Sequence, residues 1–482
     1  MSTPSEALPA TAPTPLREID DLPSPRGLPL LGNLLQIDKP HIHAQIETWE
    51  RRYGSLFTFR LGRQRLLVVA DHQAMGAILR DRPEGFRRTP RFARVAGEIG
   101  LGAGVFGAEG EAWKRQRKMV MAGFDPRHLR AYFPSLVKVC DRLEGRWRRA
   151  ANAGQSIDLQ PDLMRFTVDA ISGLAFGSEV NTLESDEQII QRYLDKIFPA
   201  MFRRLLSPLP TWRWWKTRAD RELDASVVEV NAAIDGFVAT ARRRLEADPQ
   251  RRAAPANLLE AMIVAADDPG SGITDKEVSG NVMTMLLAGE DTTANTLAWA
   301  IWLLATHPAC LERARAEIDA VAGEPHEWTF ERFAGLTWLE ACANETMRLK
   351  PIAPLLVVQA LRDTTVADVR VPAGTLVFGA MRSESLRDDF FAKAAEFDPQ
   401  RWLASGLSAS SANRVSMPFG AGPRVCPGRQ LAMLEMKMAL ATVLGRFEIE
   451  RVDTPDGKQP EERMSFTMAP ASLSMRLRPR QR

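Results

Sequence analysis

Phe419-Gly420-Ala421-Gly422-Pro423-Arg424-Val425-Cys426-Pro427-Gly428 is a stretch built to present one sulfur. Two glycines ahead of the cysteine permit positive φ and a close backbone approach to a bulky ligand. Arg424 sets a permanent cation two residues from the sulfur. Pro427 suits the first turn of a helix, here expected over Pro427 to Arg446. A cysteine just ahead of a helix N-terminus meets unpaired N–H donors and the positive dipole end, which predicts a depressed thiol pKa. This is the form of a loop that hands one thiolate to an iron centre. The spaced set F-x-x-G-x-R-x-C-x-G would arise by chance in roughly 10⁻⁴ of chains this long. The plainer alternative is a buried structural cysteine near a helix start.

Upstream, Val278 to Leu304 is a long apolar helix interrupted by Ala288-Gly289-Glu290-Asp291-Thr292-Thr293. Gly289 costs about 1 kcal/mol relative to alanine inside a helix. An acid and two threonines in apolar surroundings are expensive unless satisfied, so the cluster points to a purpose. A membrane span is excluded because the apolar run breaks too early. Glu345 and Arg348 form an i,i+3 pair that alone reads as an ordinary salt bridge. Its setting, Trp338 to Pro351, is partly apolar and stopped by proline, and Phe397-Asp-Pro-Gln-Arg401-Trp402 follows. Trp113 and Arg117 share one face of a basic amphipathic helix.

Together these motifs resemble the cytochrome P-450 superfamily, the heme-thiolate monooxygenases. The resemblance runs in family order from the proline-rich Pro23 to Gly32 to the last strands. It implies heme b (iron protoporphyrin IX) with Cys426 as the proximal iron ligand. Arg424, Arg117 and Trp113 would contact heme propionates, and Phe419, Gly420 and Gly428 would shape the loop. In that family the cysteine thiolate pushes electron density onto heme iron and so favours O–O cleavage. Ala288 and Gly289 would lie over the bound oxygen, with the Thr292 hydroxyl and its neighbour Asp291 delivering protons. Glu345, Arg348 and Arg401 would form the family's buried structural triad. Two departures stand out. Many relatives place a propionate-binding arginine near Gln359, and many have histidine where Leu386 precedes Arg387-Asp388.

The 482 residues are 45% hydrophobic and carry a net charge of only +3, which argues against nucleic-acid binding. Cys140, Cys310, Cys342 and Cys426 are scattered, as in a reduced, cytoplasmic protein. Residues 1–22 read as a disordered tail with neither signal peptide nor membrane anchor. Residues 23–482 read as a single monomeric domain, mainly helical with a small β-rich side (α+β). Its heme would lie between the central helix and the helix after Cys426. The expected strands are a hairpin, Leu56 to Leu61 with Leu66 to Ala70, a patch from Leu355 to Phe378, and segments Met464 to Met468 and Leu473 to Leu477.

Apolar pocket segments imply hydroxylation or epoxidation of a hydrophobic small molecule such as a fatty acid, terpenoid, steroid or aromatic compound. Phe198, Phe202, Trp212, Trp214 and Trp215 are candidate lid residues. The resemblance further implies a prokaryotic-like member taking electrons from a separate ferredoxin or flavodoxin with its reductase. Lys114, Lys118, Arg429 and Lys437 are expected to offer that partner a basic surface.

Overall fold

The computed structural model describes residues 15–177, 180–185, 193–194, 196–403 and 407–481. Its centre is the helix Asp275–Thr306, 32 residues long. Thr274 caps it: its hydroxyl accepts the Glu277 N–H while the Glu277 carboxylate accepts the Thr274 N–H. The helix is buried on all sides over most of its length, which is why its apolar residues run without a helical period. Helix Leu159–Phe176 packs along it, and Pro126–Asn152, Thr337–Leu349 and Arg429–Arg446 complete the main core. Among the described residues no helix is long and apolar enough to cross a membrane.

The β-rich side is chiefly a five-stranded sheet. Its spatial order is Leu56–Leu61, Gln64–Val69, Leu376–Ala380, Leu355–Ala360, Phe86–Arg88. The first two strands form the expected hairpin, turned at Gly62, which adopts φ +61°. The pairing of Gln64–Val69 with Leu376–Ala380 is parallel, and the others are antiparallel. Two apolar clusters flank the sheet, one containing Phe57, Phe59 and Phe378, the other Leu67, Val69 and Val377.

Three expectations shift. Arg17–Glu18 pairs with Val369 and Arg370, and Leu22 is buried, so the tail expected through residue 22 is ordered from Arg17 onward; residues 1–14 lie outside the described ones. The helix after Cys426 begins at Arg429 with Gly428 as its N-cap, so Pro427 precedes it instead of opening it. Met464 to Met468 is a turn instead of a strand. Glu462–Met464 and Met468–Pro470 pair across it, and Phe466 at the tip takes φ +100°.

Candidate active site

The sulfur loop is fixed by its own backbone. Gly420 N–H donates to the Met417 carbonyl at 2.8 Å, Val425 N–H to Gly422 at 3.1 Å and Cys426 N–H to Phe419 at 3.0 Å. Gly420 and Gly422 take φ of +74° and +70°. Gly422 is constrained twice, because a Cβ there would stand 2.5 Å from the Leu79 carbonyl oxygen. The Phe419 ring lies 5.7 Å from the Arg429 guanidinium.

Cys426 differs from expectation in its acidity. Burial pushes its thiol above the ordinary value, and the Gly428 N–H and the Arg117 charge offset that only in part. The helix start two residues further on leaves the sulfur a single N–H donor in place of a full helix end. Yet Cys426 keeps accessible surface while protein surrounds it on nearly all sides, and half-buried Arg88 does the same.

Arginines converge beside the sulfur. Arg117 Nη2 donates to the Val425 carbonyl at 2.8 Å, next to Cys426. The Arg424 guanidinium lies 4.7 Å from the Trp113 ring centre and donates to the Ala108 carbonyl at 2.7 Å. Arg424 and Arg82 both pair with Glu109, at 2.5 and 3.4 Å. Arg88 sits 4.0 Å over Phe106 and 4.4 Å over Phe92, while its backbone N–H donates to Glu109. Burial, with Arg82 and Arg424 close by, lowers Arg88 to about 9. Burial and Arg82 likewise lower Arg424 to about 10, against the pull of Glu109. The Nε atoms of Arg82, Arg88 and Arg424 are buried with no hydrogen-bond partner among the described residues. Among the described residues, the single carboxylate of Glu109 leaves an excess of buried positive charge, which calls for an anionic partner. An open sulfur beside such a cluster fits a flat iron–porphyrin carrying two carboxylates.

On the central helix, Ala288 is exposed within an otherwise buried run. Thr292, one turn on, donates its hydroxyl to the Ala288 carbonyl at 2.6 Å. Gly289 also packs closely against a neighbouring helix. A Cβ there would stand 3.2 Å from Ile171 Cγ1, so the glycine serves close contact with helix Leu159–Phe176. Asp291 turns away from Thr292. Its carboxylate accepts the Thr467 hydroxyl and, at 3.0 Å, the Asn295 side-chain amide. Burial raises the Asp291 pKa, and these two donors oppose the rise.

Glu345, Arg348 and Arg401 come together. Glu345 and Arg348 are both 0% exposed and share two contacts of 2.8 Å, and Arg401 Nε reaches Glu345 at 3.0 Å. Trp402 Nε1 and the Asp398 N–H also donate to Glu345.

Sequence reasoning gave no individual role to Arg88, Glu109, Thr467 or Asn295, which carry no local motif; Arg88 and Thr467 fell only within the candidate pocket segments Arg87 to Phe106 and Phe466 to Pro470. It also missed Glu435, buried on the helix after the sulfur loop; burial pushes it up to about 8, with Thr293 pulling the other way. Gln359 accepts from Arg87 and donates to the Gly374 carbonyl. Arg88 lies across from Val358 in the same strand pair and supplies the sheet's cation to the cluster. At the second departure, Asp388 accepts the Ala394 N–H. The expected basic surface is smaller than foreseen: Lys437 is buried against Glu340, and Lys114 pairs with Glu84 and Glu111. Of the lid candidates, Phe198 stacks on Phe466 and Trp212 is buried, whereas Trp214 and Trp215 are 72% and 81% exposed.

The chain is similar to known proteins. The chain is 26% identical over 414 residues to the protein LUTEIN DEFICIENT 5, chloroplastic, of Arabidopsis thaliana, covering 83% of this chain and 68% of that one. It is 26% identical to thromboxane-A synthase of Sus scrofa, covering 88% and 86%. To the self-sufficient cytochrome P450 monooxygenase CYP505E3 of Phanerodontia chrysosporium it is 27% identical, covering 95% and 43%. With the cytochrome P450 family model matching residues 22–477, the chain belongs to the cytochrome P450 family of heme-thiolate monooxygenases.

Proposed function

We propose that Cys426 ligates the heme iron, that Arg88, Arg117, Arg424 and Trp113 hold its propionates, and that the substrate is a hydrophobic small molecule. The observation that carries this reading is one open sulfur set beside buried arginines that Glu109 cannot neutralise. When bound through that sulfur, heme supplies the reductive activation of dioxygen.

The chain's own residues do the rest. The Gly428 N–H and Arg117 favour the anionic form of the Cys426 sulfur, and Arg117 also ties the loop through Val425. Glu345 with Arg348 and Arg401 locks the segment leading to that loop. On the central helix, exposed Ala288 and half-buried Thr292 lie one turn apart, and Thr292 offers a hydroxyl that can accept one proton and give another without adding charge. Asp291, its pKa raised by burial, holds a proton more readily than a surface aspartate, as a proton donor requires. Phe106, Phe198 and Phe466 form a row of rings that excludes water and suits a fatty acid, terpenoid, steroid or aromatic compound.

In this reading electrons come from a separate ferredoxin or flavodoxin with its reductase, docking near exposed Lys118 and Arg429. The free, scattered cysteines support a cytoplasmic setting. The test is the absorption spectrum of the dithionite-reduced protein with carbon monoxide. Parent protein should show the long-wavelength thiolate band and Cys426→Ser should lose it; the band persisting in Cys426→Ser would mean another ligand.

A further inference from the structure

We infer that Thr467 is a positioning residue for Asp291, and that Phe466 makes its grip on the acid depend on whether a hydrophobic molecule occupies the space beside the Phe106, Phe198 and Phe466 rings. The inference rests on the proposed roles of Asp291 and Thr292. Those two side chains are neighbours in sequence but point to different partners. Thr292 bonds the Ala288 carbonyl, whereas Asp291 is held by Thr467 and Asn295. Asn295 also donates to the Asp291 carbonyl at 2.9 Å and accepts from Gln160 at 2.9 Å. The acid is thus docked against neutral donors, turned from the hydroxyl it would feed.

The residue that holds it stands in a strained turn. Phe466 adopts φ +100°, a region costly for a side chain that is not glycine, and such positions persist only where surrounding structure imposes them. What imposes it is visible on either side. The Phe466 ring stacks on Phe198 at 4.8 Å and meets Phe106 edge-on at 6.2 Å. Behind the turn, Met468 is fully buried and its N–H donates to the Ile352 carbonyl at 2.8 Å. The turn is therefore anchored at Met468 while its tip rests on two rings from distant segments. A cleft lined by Phe198, Asp291, Asn295, Gln160 and Ser465 runs alongside it. A hydrophobic molecule entering among these rings must displace or reseat Phe466. Thr467 is the next residue, so its hydroxyl moves with that ring. Loosening the bond frees the Asp291 carboxyl to turn toward Thr292. Without substrate the grip keeps the acid docked, which restrains proton delivery when no substrate is there to be oxidised.

The experiment compares the heme-loaded parent with Thr467→Val, which keeps the shape but cannot donate, with Thr467→Ser, which restores the hydroxyl, and with Phe466→Leu. Consumption of reduced electron donor without substrate should rise up to about tenfold in Thr467→Val, the ratio one hydrogen bond sustains, and fall back in Thr467→Ser. Infrared difference spectra supply a readout besides turnover. In the parent, substrate should shift a carboxyl or carboxylate band that Asp291→Asn abolishes. In Thr467→Val that band should already sit at its substrate-bound position, and in Phe466→Leu it should no longer respond to substrate. Equal substrate-free consumption in parent and Thr467→Val, with the same substrate-induced band shift, would overturn the inference. The carbon-monoxide spectrum separates the two failures: a normal thiolate band with no Thr467 effect leaves the proposed function standing, while its absence in the parent removes both.

Discussion

Glu345→Gln is the most exacting test of how the fold supports the sulfur loop. Glu345 accepts five hydrogen bonds: two from Arg348, one each from Arg401 Nε and Trp402 Nε1, and one from the Asp398 N–H, all between 2.8 and 3.0 Å. Three converge on Oε1 and two on Oε2. The glutamine NH₂ must replace one oxygen, and the cheaper choice is Oε2, where it faces Arg348 Nε and Trp402 Nε1. Two bonds are then lost and donors confront a donor. Arg348, 0% exposed, keeps carbonyl acceptors at Ser385, Ala394 and Glu396 but no buried counter-charge. Breaking a buried pair in this way costs about 3–5 kcal/mol. Against a typical total of about 5–15 kcal/mol this is a large share. Denaturant titration followed by tryptophan emission should show the unfolding free energy fall by that amount, with thiolate-band loss in the same transition. A shift under about 1 kcal/mol, with the band unchanged, would refute the claim that this carboxylate holds the region together.

Arg88→Met should speed heme transfer to an excess of apo-globin by about tenfold or more, the worth of one charge-assisted contact. The apoprotein should lose no stability, since a cation crowded by Arg82 and Arg424 has gone; equal transfer rates would remove Arg88 from the heme site. Glu435, pushed up to about 8, supplies stability that is fully present below the unfolded glutamate pKa near ~4.3 and is lost as pH rises through 8. Thermal melts of Glu435→Gln should therefore gain on the parent steadily from about pH 5 to pH 8; a pH-independent difference would sink this assignment.

Legibility followed distance along the chain. The glycines and cysteine of Phe419 to Gly428, the acid and threonine at 291 and 292, and the pair Glu345–Arg348 each lie within a few residues. There backbone geometry alone fixes which groups are neighbours. The hairpin was readable for the same reason, its turn being set by Gly62. Reading failed at Met464 to Met468, where alternating apolar residues suggested a strand and the tip instead folds back under the rings of Phe106 and Phe198. It failed at Lys437 too, since a helix buried on all sides hides a charge that local pattern places on a surface.

The sequence by itself determined the family, the sulfur ligand expected of it and the short-range motifs, because those depend on covalent spacing and helical periodicity. Only the tertiary structure decided that Arg82, Arg88 and Arg424 crowd around Glu109, that Asp291 docks on Thr467 across 176 residues, and that burial raises the Cys426 thiol. Desolvation and through-space charge are sums over every element packed around a group, and no local stretch of sequence contains that sum.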